Sequence, residues 1–361
     1  MTTMTDVGAS DVRRPPLLDP ARLADGAAAG ELLNSSGGIR APLLAVDLDT
    51  VPAPAVVAAA ARSARLSDRI LVGVTTRGAP DPALGRLVTA LDLTLVPYAT
   101  STVEQVAVVD PVAEVDVLHG LAEANPQAAT VLAGLLRWSG TLPVPAALDA
   151  ESLAYSTLLG GQEFRRWLAR RGPRPLPPPA PAEPVLVSRD GDELRITLNR
   201  PQRRNAYGRE IRDALVAALE IALLDDGVAR VVLDGAGPLF SAGGDLDEFG
   251  TTPDLATAHV VRTRGGVARL LQRLADRVEV RVHGTCVGAG IELPAFAGRI
   301  VARPTTTFRL PEVGMGLIPG AGGTVSIPRR IGRWRTLHLA LSGRPLAAPT
   351  ALAWGLVDDL A

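Results

Sequence analysis

The chain has 361 residues, 47% hydrophobic and 21% charged, enough apolar material for a sizeable core in one large domain or two. A formal net charge of −1 and 3% aromatic residues give no electrostatic or stacking basis for a nucleic acid or an anionic membrane as partner. The single cysteine, Cys286, excludes an intrachain disulfide framework and a cysteine-based zinc site.

Residues 1–40 open with MTTMTDVGASDVRRPP, which is polar and lacks the apolar core of a signal peptide; the stretch reads as a flexible N-terminus. No run of about 18 apolar residues free of charge suggests a membrane span, so a cytoplasmic setting is expected. Residues 41–171 read as a smaller α/β domain. Pro42–Thr50 and Arg69–Gly78 look like buried strands with a helical PAVVAAAARSARL between them, and Asp149–Arg171 is helical. Gly172–Pro184 (GPRPLPPPAPAEP) is too rich in proline for helix or central strand and reads as a stiff linker. Residues 185–361 then alternate regularly. Val185–Arg200 makes two strands around an Asp190-Gly191 turn, Glu210–Asp226 a helix, and Ala229–Gly237 a buried strand ending in a glycine turn. Val267–Arg277 is a helix, Val278–Gly290 a strand entering a glycine loop, and GIELPAFAGRIVA is expected to continue as a helix. A strand at TTTFRL and a final pair of helices close the series, an α/β arrangement.

Three stretches carry candidate chemistry. In FSAGGDLDEF (Phe240–Phe249) small side chains leave backbone N–H groups open to a ligand, or the stretch is an ordinary turn before a helix capped by Asp245. In HGTCVGAGIELPAFAG, Gly288-Ala289-Gly290 bares the backbone at a helix N-terminus, suited to a developing oxyanion. Glu292 falls in the first turn, where an acid also simply suits the dipole. In FRLPEVGMGLIPGAGGT, Glu312 sits in an apolar, glycine-rich run with no opposite charge beside it. Gly320–Thr324 lacks the Gly-Lys-Ser/Thr ending of a phosphate-binding P-loop.

With ITLNRPQRRNAY and LSGRPLAAPTALAWGLVDDL, these motifs resemble the crotonase superfamily, the enoyl-CoA hydratase/isomerase group, in family order over about Pro184–Ala361. The resemblance implies a crotonase-like ββα superhelix core beside the smaller N-terminal α/β domain, and an acyl-CoA thioester as substrate. It implies no metal or redox cofactor; coenzyme A enters only as part of the substrate. By motif position Gly244 and Ala289 would donate the two N–H groups of an oxyanion hole, and Glu292 and Glu312 would face the reacting carbons. Ala242, Gly243, Asp245, Gly288 and Arg204 would line the coenzyme A side. The chain has no lysine, so arginines would hold the phosphates, with Arg203, Arg204 and Arg264 as candidates. Gly244 stands where an alanine or similar small residue is more usual. His283 and Cys286 read as structural.

The expected reaction is reversible addition of water to a 2-enoyl-CoA. The alternatives are another crotonase-type reaction (isomerisation, decarboxylation, hydrolysis or a tailoring step) or a scaffold that binds acyl-CoA without turnover. The family implies a homo-oligomer, trimer or hexamer. Its members commonly continue with further helices, and the N-terminal region is read as a degenerate crotonase-like half whose helices, Asp149–Arg171 among them, substitute for those, in cis or across a subunit interface. An independent accessory domain is the other reading.

Overall fold

The computed structural model describes residues 14–176, 178–179 and 182–361. They form two compact units. The first runs to Ser101 and takes in Gln105–Pro126; the second comprises Thr102–Glu104 and Gln127–Ala361.

The first unit holds a five-stranded parallel sheet in sequential order: β1 (Leu17–Leu18), β2 (Leu43–Asp47), β3 (Ile70–Val74), β4 (Leu93–Val96) and β5 (Gln105–Ala107). The helices are α1 (Pro20–Ala24), α2 (Pro54–Leu66), α3 (Gly85–Ala90) and α4 (Pro111–Ala124). All of β3 is buried, as its unbroken apolar run requires of a strand covered on both faces. The expectation of a flexible 1–40 is corrected where the chain is described. Leu18 and Leu23 are buried, β1 pairs with Ala45 and Val46, and Asp19 caps α1 by accepting from the Arg22 N–H at 2.8 Å. Such short apolar clusters are anchored by the sheet they meet, which local periodicity does not register. Residues 1–13 lie outside the described chain.

The second unit begins before the linker, not after it. Helices α5 (Pro126–Ser139), α6 (Val144–Leu159) and α7 (Gln162–Arg171) precede β6 (Val185–Asp190) and β7 (Glu193–Leu198), yet from Gln127 on they cluster with everything that follows. The boundary expected at 172–184 therefore does not divide the compact units; linker residues 177, 180 and 181 are outside the described chain. The physical reason is that α6 and α7 send their side chains into the second unit. A Cβ on Gly316 would stand 2.5 Å from the Glu163 Cβ of α7, and one on Gly320 would stand 2.3 Å from the Tyr155 ring of α6. Of the segments read as stand-ins for further helices, Asp149–Arg171 thus packs on the core in cis, while Leu44–Gly78 builds the first unit's own sheet.

After the β6–β7 hairpin come α8 (Arg209–Leu224), β8 (Arg230–Gly235), α9 (Leu255–Arg264), α10 (Ala268–Arg273), β9 (Val278–Val282), β10 (Thr285–Val287) and α11 (Ala289–Glu292). Then follow β11 (Arg299–Ala302), β12 (Thr307–Arg309), α12 (Gly323–Ser342), β13 (Leu346–Ala347), α13 (Ala348–Trp354) and β14 (Asp359–Leu360). Six strands form one sheet in the order β14-β11-β9-β8-β7-β6, parallel except for the hairpin; β10, β12 and β13 form a second, small sheet. The helix expected through GIELPAFAGRIVA is cut to α11. Pro294 opens a single 3-10 turn, and Arg299–Ala302 pairs with β9 as strand β11. Nor does a helix start after Phe240–Gly244; residues 246–250 are turns and α9 begins at Leu255. Among the described residues no helix is long and apolar enough to cross a membrane.

Candidate active site

Two glycine-bearing loops, one after β8 and one after β10, meet backbone to backbone. The Val287 N–H donates to the Ser241 carbonyl at 3.2 Å, and the Phe240 N–H to the His283 carbonyl at 2.9 Å. The approach leaves no room for side chains. A Cβ on Gly243, whose φ is +85°, would stand 2.4 Å from the Val287 carbonyl oxygen, and one on Gly290 2.4 Å from that of Ser241. Gly244 and Ala289, one on each loop, line the same cavity, and among the described residues neither N–H has an acceptor. Ala289 is the first residue of α11, where an N–H has no intrahelical acceptor.

Asn205 holds the first loop from beneath. Fully buried, it accepts from the Arg200 N–H at 2.8 Å and donates to the carbonyls of Ala236, Leu239 and Phe240 at 2.9, 3.2 and 2.9 Å. The Ser241 hydroxyl donates to the Asn205 carbonyl at 2.8 Å. Asn205→Ala strands these groups without water, so a loss of about 3 kcal/mol in unfolding free energy is expected from denaturant titration.

The two glutamates meet over Gly288. A Cβ there would stand 2.5 Å from Glu312 Oε1 and 3.5 Å from Glu292 Oε1, so only glycine fits between the carboxylates and the strand. Glu292 Oε2 is held by the N–H groups of Ala321 at 2.7 Å and Gly323 at 2.9 Å, leaving Oε1 for the cavity. Glu312 Oε2 is buried with no hydrogen-bond partner among the described residues. Burial raises the Glu312 pKa to about 8, against the opposing pull of its own N–H and of Arg309. Burial, then the charges of Glu312 and Glu151, push Glu292 well above the ordinary carboxylate range.

Glu151, from α6, is a third acid in the cavity wall. It accepts from the Gly322 N–H at 2.7 Å, and from the Thr324 N–H and hydroxyl at 2.9 and 2.7 Å. Burial raises its pKa to about 7 although these bonds and the nearby Arg262 favour the anion. The cavity, of about 380 Å³, is also lined by Leu148, Tyr155, Phe249, Val261 and Ala268. The stretch from Phe249 to Ala268 thus supplies part of the cavity wall, and α6 supplies another part.

The family model for enoyl-CoA hydratase/isomerase matches residues 193–361. A 2,3-dehydroadipyl-CoA hydratase of Escherichia coli is 37% identical over 49% of this chain and 68% of its own length. A 1,2-epoxyphenylacetyl-CoA isomerase of the same organism is 36% identical over 45% of this chain and 64% of its own. A probable enoyl-CoA hydratase of Mycobacterium bovis is 32% identical over 49% and 68%. The chain belongs to the enoyl-CoA hydratase/isomerase family. The match spans about two thirds of these relatives' length and about half of this chain.

Within this crotonase the structure brings Gly244, Ala289, Glu292, Glu312 and Asp245 to one cavity, while Ala242, Gly243 and Gly288 do not line it. The arginines divide. Arg203 is tied by Asp245 at 2.7 Å and Asp247 at 2.8 Å, and Arg264 pairs with Asp149 at 3.1 Å. Arg204 is exposed, with no side-chain partner among the described residues, but it does not line the cavity. Arg209, not singled out from the sequence, is exposed at the cavity with no side-chain partner among the described residues. His283 bonds the Gly237 carbonyl at 2.9 Å, and Cys286 is fully buried. Glu151 precedes the family match and was missed; within DAESLAYSTLL it is one of two acids on a helix, and no local signal marks it as the buried one.

Three carboxyls raised by burial fix the sign of a pH effect. Their unfolded values are near 4.3, so between there and about pH 8 the folded state binds more protons than the unfolded state. Their contribution to stability is full below that window and is lost as pH rises through it. By scanning calorimetry, Tm is expected to be lower at pH 8 than in Glu312→Gln, and the difference between the two proteins should vanish toward pH 4. A difference that grows on acidification would contradict the assignment.

Proposed function

We propose that this protein adds water reversibly across the double bond of a 2-enoyl-CoA thioester. The observation that carries the reading is the convergence of two N–H groups without protein acceptors, at Gly244 and Ala289, on the cavity that holds the Glu292 and Glu312 carboxyls.

In this reading the thioester carbonyl accepts from both N–H groups. Glu292, through the oxygen its turn leaves free, holds a water and takes a proton as the water oxygen bonds to the β carbon. The π electrons move toward the thioester oxygen, where the two donors stabilise the enolate. Glu312 then delivers a proton to the α carbon, and the reverse steps dehydrate the product. Two neighbouring carboxyls in a dry site resist holding two charges, so the pair keeps at least one proton near neutral pH, and the form that adds water is the one in which Glu292 is ionised and Glu312 protonated. Both acids lie on the same side of Gly288, which supports addition of water and proton to one face. Arg209 at the cavity and the exposed Arg204 are the cations proposed for the coenzyme A phosphates. The hydratase names carried by two of the relatives above support the reading.

The test is to follow loss of enoyl-thioester absorbance with crotonyl-CoA and with longer and aromatic 2-enoyl-CoAs, with mass spectrometry for gain of one water. Hydration of at least one is expected. Turnover that only shifts the double bond would replace the hydratase by an isomerase. Binding of every ester with no turnover would leave the scaffold reading.

A further inference from the structure

We propose that Glu151 is a positioning residue of this site: with Glu292 it clamps the turn Ala321–Thr324, and so decides which Glu292 oxygen faces Glu312. The proposal rests on the reading of Glu292 and Glu312 as the reacting acids.

The hydrogen bonds of the turn alternate. Ala321 and Gly323 donate to Glu292 Oε2 at 2.7 and 2.9 Å; Gly322 and Thr324 donate to Glu151 Oε1 and Oε2 at 2.7 and 2.9 Å. Four successive N–H groups around the start of α12, which the helix itself leaves without acceptors, are thus divided between two carboxylates from different elements. Neither carboxylate alone can satisfy the turn. Removing Glu151 orphans two buried N–H groups and the Thr324 hydroxyl, and the turn must move to find other acceptors.

That movement goes straight into Glu292. A Cβ on Gly323 would stand 2.6 Å from Glu292 Cγ, so the turn's backbone lies in contact with the side chain it orients. Helix α6 grips the same segment one turn further on, where the Tyr155 ring covers Gly320. The turn is therefore held from α6 at two points, and from α11 through Glu292.

Glu151 also acts by charge. The groups facing it and its two acid neighbours are Tyr155 on its own helix, Tyr207 just before α8, Arg262 of α9 and Arg309 of β12. The Arg262 guanidinium lies 4.8 Å over the Tyr155 ring and bonds the Ser152 hydroxyl at 3.1 Å. Arg309 bonds the Gly343 carbonyl at 2.6 Å. Neither arginine forms an ion pair with Glu151, Glu292 or Glu312, so the three carboxyls feel one another with little neutralisation. The Glu151 anion raises proton affinity at both Glu292 and Glu312.

Glu151→Gln and Glu151→Asp separate these effects. The glutamine keeps the size but points an amide NH2 at one of the donating N–H groups. A fall in kcat of roughly ten- to a hundredfold is expected, with KM little changed, as for a misplaced reacting group. The alkaline limb of kcat/KM should move to lower pH, because a like charge is gone. The aspartate keeps the charge but falls short of the turn, so kcat should drop with the limb left in place. Wild-type kcat and limb in a folded Glu151→Gln, with only Tm lowered, would reduce Glu151 to a helix cap and overturn the proposal. If Glu151→Gln does not fold, wild-type kcat in Glu151→Asp overturns it. If the wild type hydrates no ester, the reading of the reaction fails separately. Carbon-13 titration of the Glu292 carboxyl then decides, where an unchanged midpoint in Glu151→Gln again overturns the proposal.

Discussion

Glu312→Gln is expected to lower kcat for enoyl-CoA hydration by about 10³-fold, within the range for loss of a positioned general acid or base, with KM moving little. The substitution keeps the side-chain volume and removes only the transferable proton. The site predicts an unusual pairing of effects. Glu312 Oε2 is buried without a protein partner, and burial holds the carboxyl up to about 8. A neutral amide has no charge to desolvate, so the variant should be at least as stable as the wild type at pH 8 while nearly inactive. Stopped-flow hydration beside calorimetry at that pH checks both halves. An inactive variant that is also much less stable would mean that Glu312 holds the loop together, not that it moves a proton. If Glu312 is the proton donor proposed above, the rate of hydration should fall as pH rises through about 8.

Ala289→Pro is expected to cost about 10²–10³ in kcat, the usual effect of deleting one oxyanion-hole donor. A backbone donor escapes ordinary mutagenesis, but this one sits where proline is tolerated. Ala289 is the first residue of α11, its N–H has no acceptor in the protein, and the first helical position accepts the proline ring. Folding should lose no hydrogen bond. Circular dichroism and Tm near wild type, with kcat collapsed, would identify the N–H as the catalytic element. A kcat within about tenfold of wild type would remove Ala289 from the hole.

Much of the site is legible in a single sequence because its signals are local. Gly243, Gly288 and Gly290 announce backbone that must come close to something, and in the structure they come close to Val287, Glu312 and Ser241. An acid in the first turn after Gly-Ala-Gly, and another in an apolar run after Leu-Pro, are visible as anomalies in their own neighbourhoods. The β6–β7 hairpin follows from Asp190-Gly191, with Gly191 at a φ of +58°. Where local signals conflict, the reading fails. The apolar stretch after Glu292 has helical composition, but Pro294 and the open edge of β9 convert its end to strand β11.

What the sequence by itself determined is the run of glycine-rich motifs from Asn205 to Thr324 and the two glutamates set in them; Gly244 and Ala289 as N–H donors come from the family resemblance. Each motif is a property of residues within a turn or two of one another, where spacing and residue type carry the physics. Tertiary structure alone decided that α5–α7 belong with this core, that Asp245 occupies Arg203, and that a third glutamate closes the site. Glu151 and Gly322 are 171 residues apart. A hydrogen bond across that distance imposes no period, turn or composition on either segment. The burial that makes Glu151 consequential exists only once α6 lies against the start of α12.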